Sequence, residues 1–234
     1  MRRRSFVSVS GATVTTALAG CLGRLQGNPD DEYDTAVYDD REIPLVPLED
    51  AHEWYESGDA QFVDTRGPGQ YASAHVEGAI LSPPASSSAE GDDDALEDVP
   101  ADTRLVTYCD CPHSLAVMRA SELRADGFED VYALDDGFPA WEEAGHPTER
   151  DDEAAAIDTH EIVGRSSPDH EGEYVWLTTL DGSQTEITQV ESGGVYKLTV
   201  RFADVDDETV LSLEAPDYEL EATLETLTDG EVRA

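Results

Sequence analysis

From Leu45 to Trp141 the chain alternates short apolar runs with stretches of helical period, and from about His160 the period becomes two. This change of period constrains the fold most. Gln61 to Asp64, Ile80-Leu81, Arg104 to Tyr108 and Val131 to Leu134 have the composition of buried strands. Leu48, Ala51, Trp54 and Tyr55 recur at helical spacing within 45–55, and Leu115, Met118 and Leu123 do so within 114–126. Ser57-Gly58 and Gly127 are helix stops. Strands alternating with helices predict an α/β fold with a parallel sheet flanked by helices, whose active groups stand at the strand C-termini. Beyond His160, the runs at 174–178, 186–188, 195–202, 210–213 and 218–224 are separated by Asp181-Gly182, Gly193-Gly194 and Pro216-Asp217. These predict a small all-β, sandwich-like domain, with an immunoglobulin-like order as one form. The expected organisation is a leader over 1–21, an acidic tether over 22–42, the α/β domain over 43–148, a linker over 149–159 and the β domain over 160–234. The Pro/Ser/Asp-rich stretch 82–100 reads as a solvated insertion.

The segment that carries chemistry is Leu105-Val106-Thr107-Tyr108-Cys109-Asp110-Cys111-Pro112-His113-Ser114. An apolar strand ends at a cysteine, a short loop follows, and a helix begins at once. The expected arrangement sets a thiol over backbone N–H groups and at the positive end of a helix dipole. Such surroundings lower a thiol's pKa and stabilise negative charge on the sulfur or on a group attached to it, so Cys109 is a candidate nucleophile. Asp110, Pro112, His113 and Ser114 form the candidate binding loop, with Ser114 as an expected helix N-cap or added hydroxyl donor.

Around this segment the chain resembles the rhodanese-like (sulfurtransferase) domain family. Phe62-Val63-Asp64-Thr65-Arg66 resembles its strand ending in D-x-R, and Tyr71 to Ile80, with His75, its E-Y…G-H-I-x-G-A segment. Gly127 to Leu134 resembles G-F-x-x-V-x-x-L, Asp136-Gly137-Phe138-Pro139-Ala140-Trp141 resembles G-G-x-x-A-W, and Gly145-His146-Pro147 the closing G-x-P. Together these span about 43 to 148 in family order. The loop departs from the common C-x-x-G-x-R/S pattern and resembles a sub-group reading C-x-C-P. Gln70 stands where an acid is usual, and Ala74 where glycine is usual.

The resemblance implies transfer of a sulfane sulfur from a small donor such as thiosulfate to a thiol or cyanide acceptor, through a persulfide on Cys109 and without a cofactor. It implies that Asp64, Arg66, His75, Gly137 and Trp141 are structural, with Arg66 tying loops together. Cys111 has three readings: it participates by accepting or attacking the persulfide, it is itself the nucleophile, or it is an inert loop residue. His113 either pairs with the thiolate or is a solvated loop histidine. Two rivals stand beside sulfur transfer. A phosphatase or arsenate reductase on the same fold needs an arginine at the end of the loop, and Ser114-Leu115-Ala116 has none. A non-enzymatic module that binds a partner or senses redox state is the second.

The balance of 14 basic against 53 acidic residues gives a formal −39, and Lys197 is the only lysine. The acids are spread along the chain, a pattern that resembles proteins of extreme halophiles, whose surfaces stay hydrated in high salt. The same charge argues against nucleic acid as a partner. Of three cysteines, Cys109 and Cys111 are too few and too close for a structural zinc site, and His160 and His170 are too isolated to be ligands, so no metal is expected. Arg2, Arg3 and Arg4 precede a small apolar run that is too short to span a membrane. Arg3-Arg4-Ser5-Phe6-Val7 resembles a twin-arginine export signal, and Leu18-Ala19-Gly20-Cys21 a lipobox with Cys21 lipidated. The expectation is a protein exported and anchored to the outer face of the membrane only through Cys21, in a halophilic archaeon. The β domain is expected to be a spacer or to dock a protein partner.

Overall fold

Three runs of four residues carry the central sheet, and nearly every residue in them is buried. In the structure, a computed structural model that describes residues 33–87, 89, 91, 96–110, 113–151 and 157–233, β3 (Gln61–Asp64), β6 (Leu105–Tyr108) and β7 (Val131–Leu134) lie side by side in parallel. Strands rich in Val, Leu, Tyr and Phe with no polar face suit a sheet covered on both sides. The sheet has six strands in the order β1-β2-β7-β6-β3-β5. Here β1 is Thr35–Tyr38, β2 Arg41–Val46 and β5 Ile80–Leu81. The helices are α1 (Leu48–Ser57), α2 (Pro68–Ser73), α3 (Ser114–Asp126) and α4 (Gly137–Glu143). Gly58 and Gly127 end α1 and α3 in the left-handed region, where a side chain is disfavoured. Strand β4 (His75–Val76) pairs with β8 (Thr148–Glu149) at the edge of this domain.

The sheet begins earlier than the sequence predicts. Thr35–Tyr38 and Arg41–Val46 form an antiparallel hairpin that joins the sheet through β2 and β7, so the α/β domain takes in part of the stretch read as tether. Residues 1–32, with the export signal and Cys21, and the loop pair Cys111-Pro112 lie outside the described residues. No helix among the described residues is long and apolar enough to cross a membrane.

The second domain has two sheets. One is β11-β10-β13-β14 and the other β12-β9-β15, with β9 His160–Arg165, β10 Tyr174–Thr179, β11 Thr185–Gln189, β12 Val195–Val200, β13 Val210–Ala215, β14 Tyr218–Thr223 and β15 Glu231–Val232. Ile162 and Leu198 from one sheet and Val175, Leu177, Leu211 and Leu213 from the other meet in one core. The run expected to continue as strand through Leu224 instead turns there into a short helix, α5 (Leu224–Thr228), capped by the Thr223 side chain.

Alternation along β10 explains how the domains meet. Val175 and Leu177 point into the sandwich, whereas Tyr174 and Trp176, with Ile187 opposite Trp176 on β11, pack on the cluster that holds Leu115, Met118 and Cys109. Tyr174 meets the ring of Tyr38 edge-on at 6.2 Å between centroids. Gly67, before α2, lies against the Ser183 backbone so closely that a Cβ there would overlap the Ser183 carbonyl oxygen. Gly67→Ala is therefore expected to lower stability by about 1–3 kcal/mol, as overpacking does, read as a lower denaturant midpoint at unchanged slope.

His146 stacks on His52 with 3.7 Å between ring centroids, beside Trp141. Burial, then the His52 charge, hold the His146 pKa below the usual 6.5. The unfolded chain then binds more protons than the folded one just below that value, so stability falls as pH drops through this window. His146→Gln is expected to flatten the difference between midpoints measured at about pH 7.5 and about pH 5.

Candidate active site

Strand register builds the site. Asp64 pairs with Tyr108 at the C-terminal ends of β3 and β6, so the chain leaves both strands at the same level and Arg66 reaches Asp110. Three hydrogen bonds to backbone carbonyls pin this point. Thr65 donates to the Tyr108 carbonyl from both its N–H, at 3.0 Å, and its hydroxyl, at 2.8 Å. The Phe138 N–H, from the first turn of α4, donates to the Cys109 carbonyl at 2.9 Å. Gly137 takes φ 67° at the start of α4, a conformation that favours glycine.

Arg66 is the centre of the polar network. Its side chain is fully buried. Nε and Nη2 donate to the two oxygens of Asp64 at 3.0 and 2.7 Å. Nη1 donates to Asp110 Oδ1 at 2.9 Å and Nη2 to the Ala74 carbonyl at 2.7 Å. The guanidinium lies over the Phe138 ring, 4.2 Å from its centroid. Although burial opposes its charge, Asp110 and Asp64 hold its pKa well above the usual arginine value. Burial raises the Asp110 pKa, while Arg66 and Arg201 counter it.

Cys109 is 1% exposed and packs in the apolar cluster with Leu115 and Ile187. His113 takes φ 66° and is itself the residue that caps α3, without a side-chain cap bond. Ser114, expected as the cap, is instead the first helical residue, because the loop turns through the left-handed region one position earlier. The His113 Nε2 stands 3.5 Å from Asp135 Oδ1. His75 stacks on Tyr71 at 3.7 Å and lies 3.4 Å from Glu149. Trp141 is fully buried and donates from Nε1 to the Pro147 carbonyl at 2.9 Å. Asp64, Arg66, Cys109 and Asp110 are thus brought together, while His75 and Trp141 serve the packing of neighbouring turns. Among the described residues no group of His, Cys, Asp and Glu could hold a metal ion.

Two residues of the second domain reach this region and were not read from the sequence. Arg201 Nε lies 3.9 Å from Asp110 Oδ2, and its Nη2 donates to Glu142 on α4 at 3.0 Å. Glu186, fully buried, accepts from Gln70 Nε2 at 2.9 Å. The available signal for Arg201 was its setting: one of 14 basic residues, placed between Val200 and Phe202 at the end of an apolar strand.

Residues 47–144 match the family model of the Rhodanese-like domain. The chain is 32% identical over 90 residues to the thiosulfate sulfurtransferase GlpE of Shewanella oneidensis, covering 38% of this chain and 82% of that protein. It is 31% identical over 102 residues to the HTH-type transcriptional regulator Rv0324 of Mycobacterium tuberculosis, covering 44% of this chain and 42% of the regulator. A solved thiosulfate sulfurtransferase from Pseudomonas aeruginosa is 28% identical with a TM-score of 0.38, covering 47% of this chain and 20% of that one. The chain belongs to the rhodanese-like domain family.

Arg66→Met is expected to destabilise the protein by about 3–5 kcal/mol, because it strands the buried Asp64 carboxylate without its counter-charge and takes the hydrogen-bond donor from Asp110 Oδ1. Equilibrium denaturation in molar KCl reads this directly, and a loss under about 1 kcal/mol would contradict the network's role.

Proposed function

We propose that the chain is a rhodanese-type sulfurtransferase working through Cys109. The observation that carries this reading is a thiol fixed at the C-terminal end of the central parallel strand of a rhodanese-like domain. The 32% identity to a protein named thiosulfate sulfurtransferase supports it. The Cys109 thiolate attacks the outer sulfur of thiosulfate. A new S–S bond forms to Cys109, the sulfur–sulfur bond of the donor breaks, and sulfite leaves with its electron pair. A thiolate or cyanide acceptor then attacks the outer sulfur of the persulfide, and the Cys109 thiolate leaves as it entered. The backbone N–H groups of the loop from Asp110 to Ser114, except at Pro112, supply donors for the persulfide charge in this reading. No cofactor enters the cycle.

The setting belongs to the same proposal. The arginine cluster at the N-terminus directs twin-arginine export, Cys21 carries a lipid anchor at the outer face of the membrane, and the acidic surface suits molar salt. A second reading, a redox-sensing or binding module, is favoured by the 1% exposure of Cys109.

Thiosulfate:cyanide sulfur transfer in molar KCl, with intact mass after thiosulfate treatment, separates the two. Wild type is expected to gain one sulfur atom and to turn over, and Cys109→Ser to lose both by at least about a hundredfold. Folded wild type with neither adduct nor turnover would favour the module. Cys111→Ser in the same assay decides among its three roles.

A further inference from the structure

Asp110 follows Cys109 in the chain, and its carboxylate is held from two domains. Oδ1 accepts from Arg66 on its own domain. Oδ2 faces Arg201, which follows β12 of the second domain, at 3.9 Å. Both Asp110 Oδ2 and Arg201 Nε are buried, and among the described residues neither has a hydrogen-bond partner, so each is the polar neighbour the other has. The charges require the pair. Both oxygens of Asp64 already engage Arg66, so Asp64, Arg66 and Asp110 alone would bury two carboxylates against one guanidinium. Arg201 supplies the second positive charge, and the four together are neutral. Glu142, 28% exposed, takes the outer side of Arg201 and fixes its direction. A carboxylate beside a thiol opposes thiolate formation unless it is compensated.

We propose that Arg201 is a positioning residue of the active site, contributed by the C-terminal domain. Through Asp110 it keeps the loop in place and offsets the negative charge on the residue that follows Cys109 in the chain. The consequence for turnover rests on the sulfur-transfer reading, whereas the consequence for the thiol does not. The charged groups that act on Asp110 are Arg66 and Asp64 from its own side and Arg201 from the other, with Glu142 behind Arg201. Of these, Arg201 and Glu142 can be altered without touching the Asp64–Arg66 pair.

The test is alkylation of Cys109 by iodoacetamide across pH in the full chain in molar KCl. Fragment-ion mass spectrometry localises the adduct, so Cys111 is counted separately. Arg201→Gln is expected to move the midpoint of the pH–rate profile upward by about half to one unit, which slows alkylation near neutrality by roughly three- to tenfold. Arg201→Lys, which keeps the charge, is expected to restore most of the rate. Glu142→Gln removes the competing carboxylate, so its profile should shift the opposite way, to lower pH. That variant keeps the proposal testable if Arg201→Gln fails to fold. A folded Arg201→Gln protein whose profile superimposes on wild type, or a Glu142→Gln shift to higher pH, would overturn it. The thiosulfate adduct is measured on the same samples. If wild type forms none, the sulfur-transfer reading falls, and the alkylation profiles still decide the role of Arg201.

Discussion

One buried guanidinium organises the active end of this molecule. Arg66 has no solvent contact, so every donor it uses must find an acceptor inside the protein. It reaches Asp64 at the end of β3, the Ala74 carbonyl before β4 and Asp110 beyond β6. Asp64 and Ala74 bracket the connection from β3 to β4, and Asp110 lies in the connection after β6, so Arg66 ties two connections together at the C-terminal edge of the sheet. Removing a charge from water is costly, and only this complete set of partners offsets it. The geometry of the loop near Cys109 therefore follows from the requirement that Arg66 be satisfied, and strand register makes this possible by bringing Asp64 and Tyr108 level.

The second domain extends the same logic. It meets the first at the edge where Arg66 and Asp110 lie, placing Ile187 beside the cluster of Cys109 and Met118 and Arg201 beside Asp110. The amide at Gln70 fits this contact. Family members usually carry an acid there, but in this chain the side chain meets the buried carboxylate of Glu186. An acid would set two carboxylates face to face, whereas an amide can donate. Gly67 serves the contact sterically, by letting the Ser183 backbone approach.

The α/β core was legible because its signals are local. Each central strand is a four-residue apolar run, each long helix ends on a glycine, and the D-x-R segment and the Cys109 loop are contiguous in sequence. The period-two runs after His160 likewise pointed to a two-sheet β domain, although α5 replaced the end of the last run. Two kinds of feature were not legible. Strand β1 and the start of β2 are short and bounded by acids, so they read as tether, and only the pairing of β1 with β2 and of β2 with β7 makes them part of the sheet. Contacts such as Arg201 to Asp110 and Glu186 to Gln70 join residues far apart in sequence, with no period or spacing to announce them.

The packing of Ile187, Tyr174 and Trp176 on Leu115 and Met118 means that the family's unit and the physical unit differ. The family model ends at residue 144. A fragment cut there would bare an apolar patch around α3, take the second guanidinium away from Asp110, and leave the Gln70 amide facing solvent. It would also lack β8, the partner of β4. The module that the family model delimits thus lacks part of one of its own apolar clusters, which Ile187, Tyr174 and Trp176 complete from beyond its boundary.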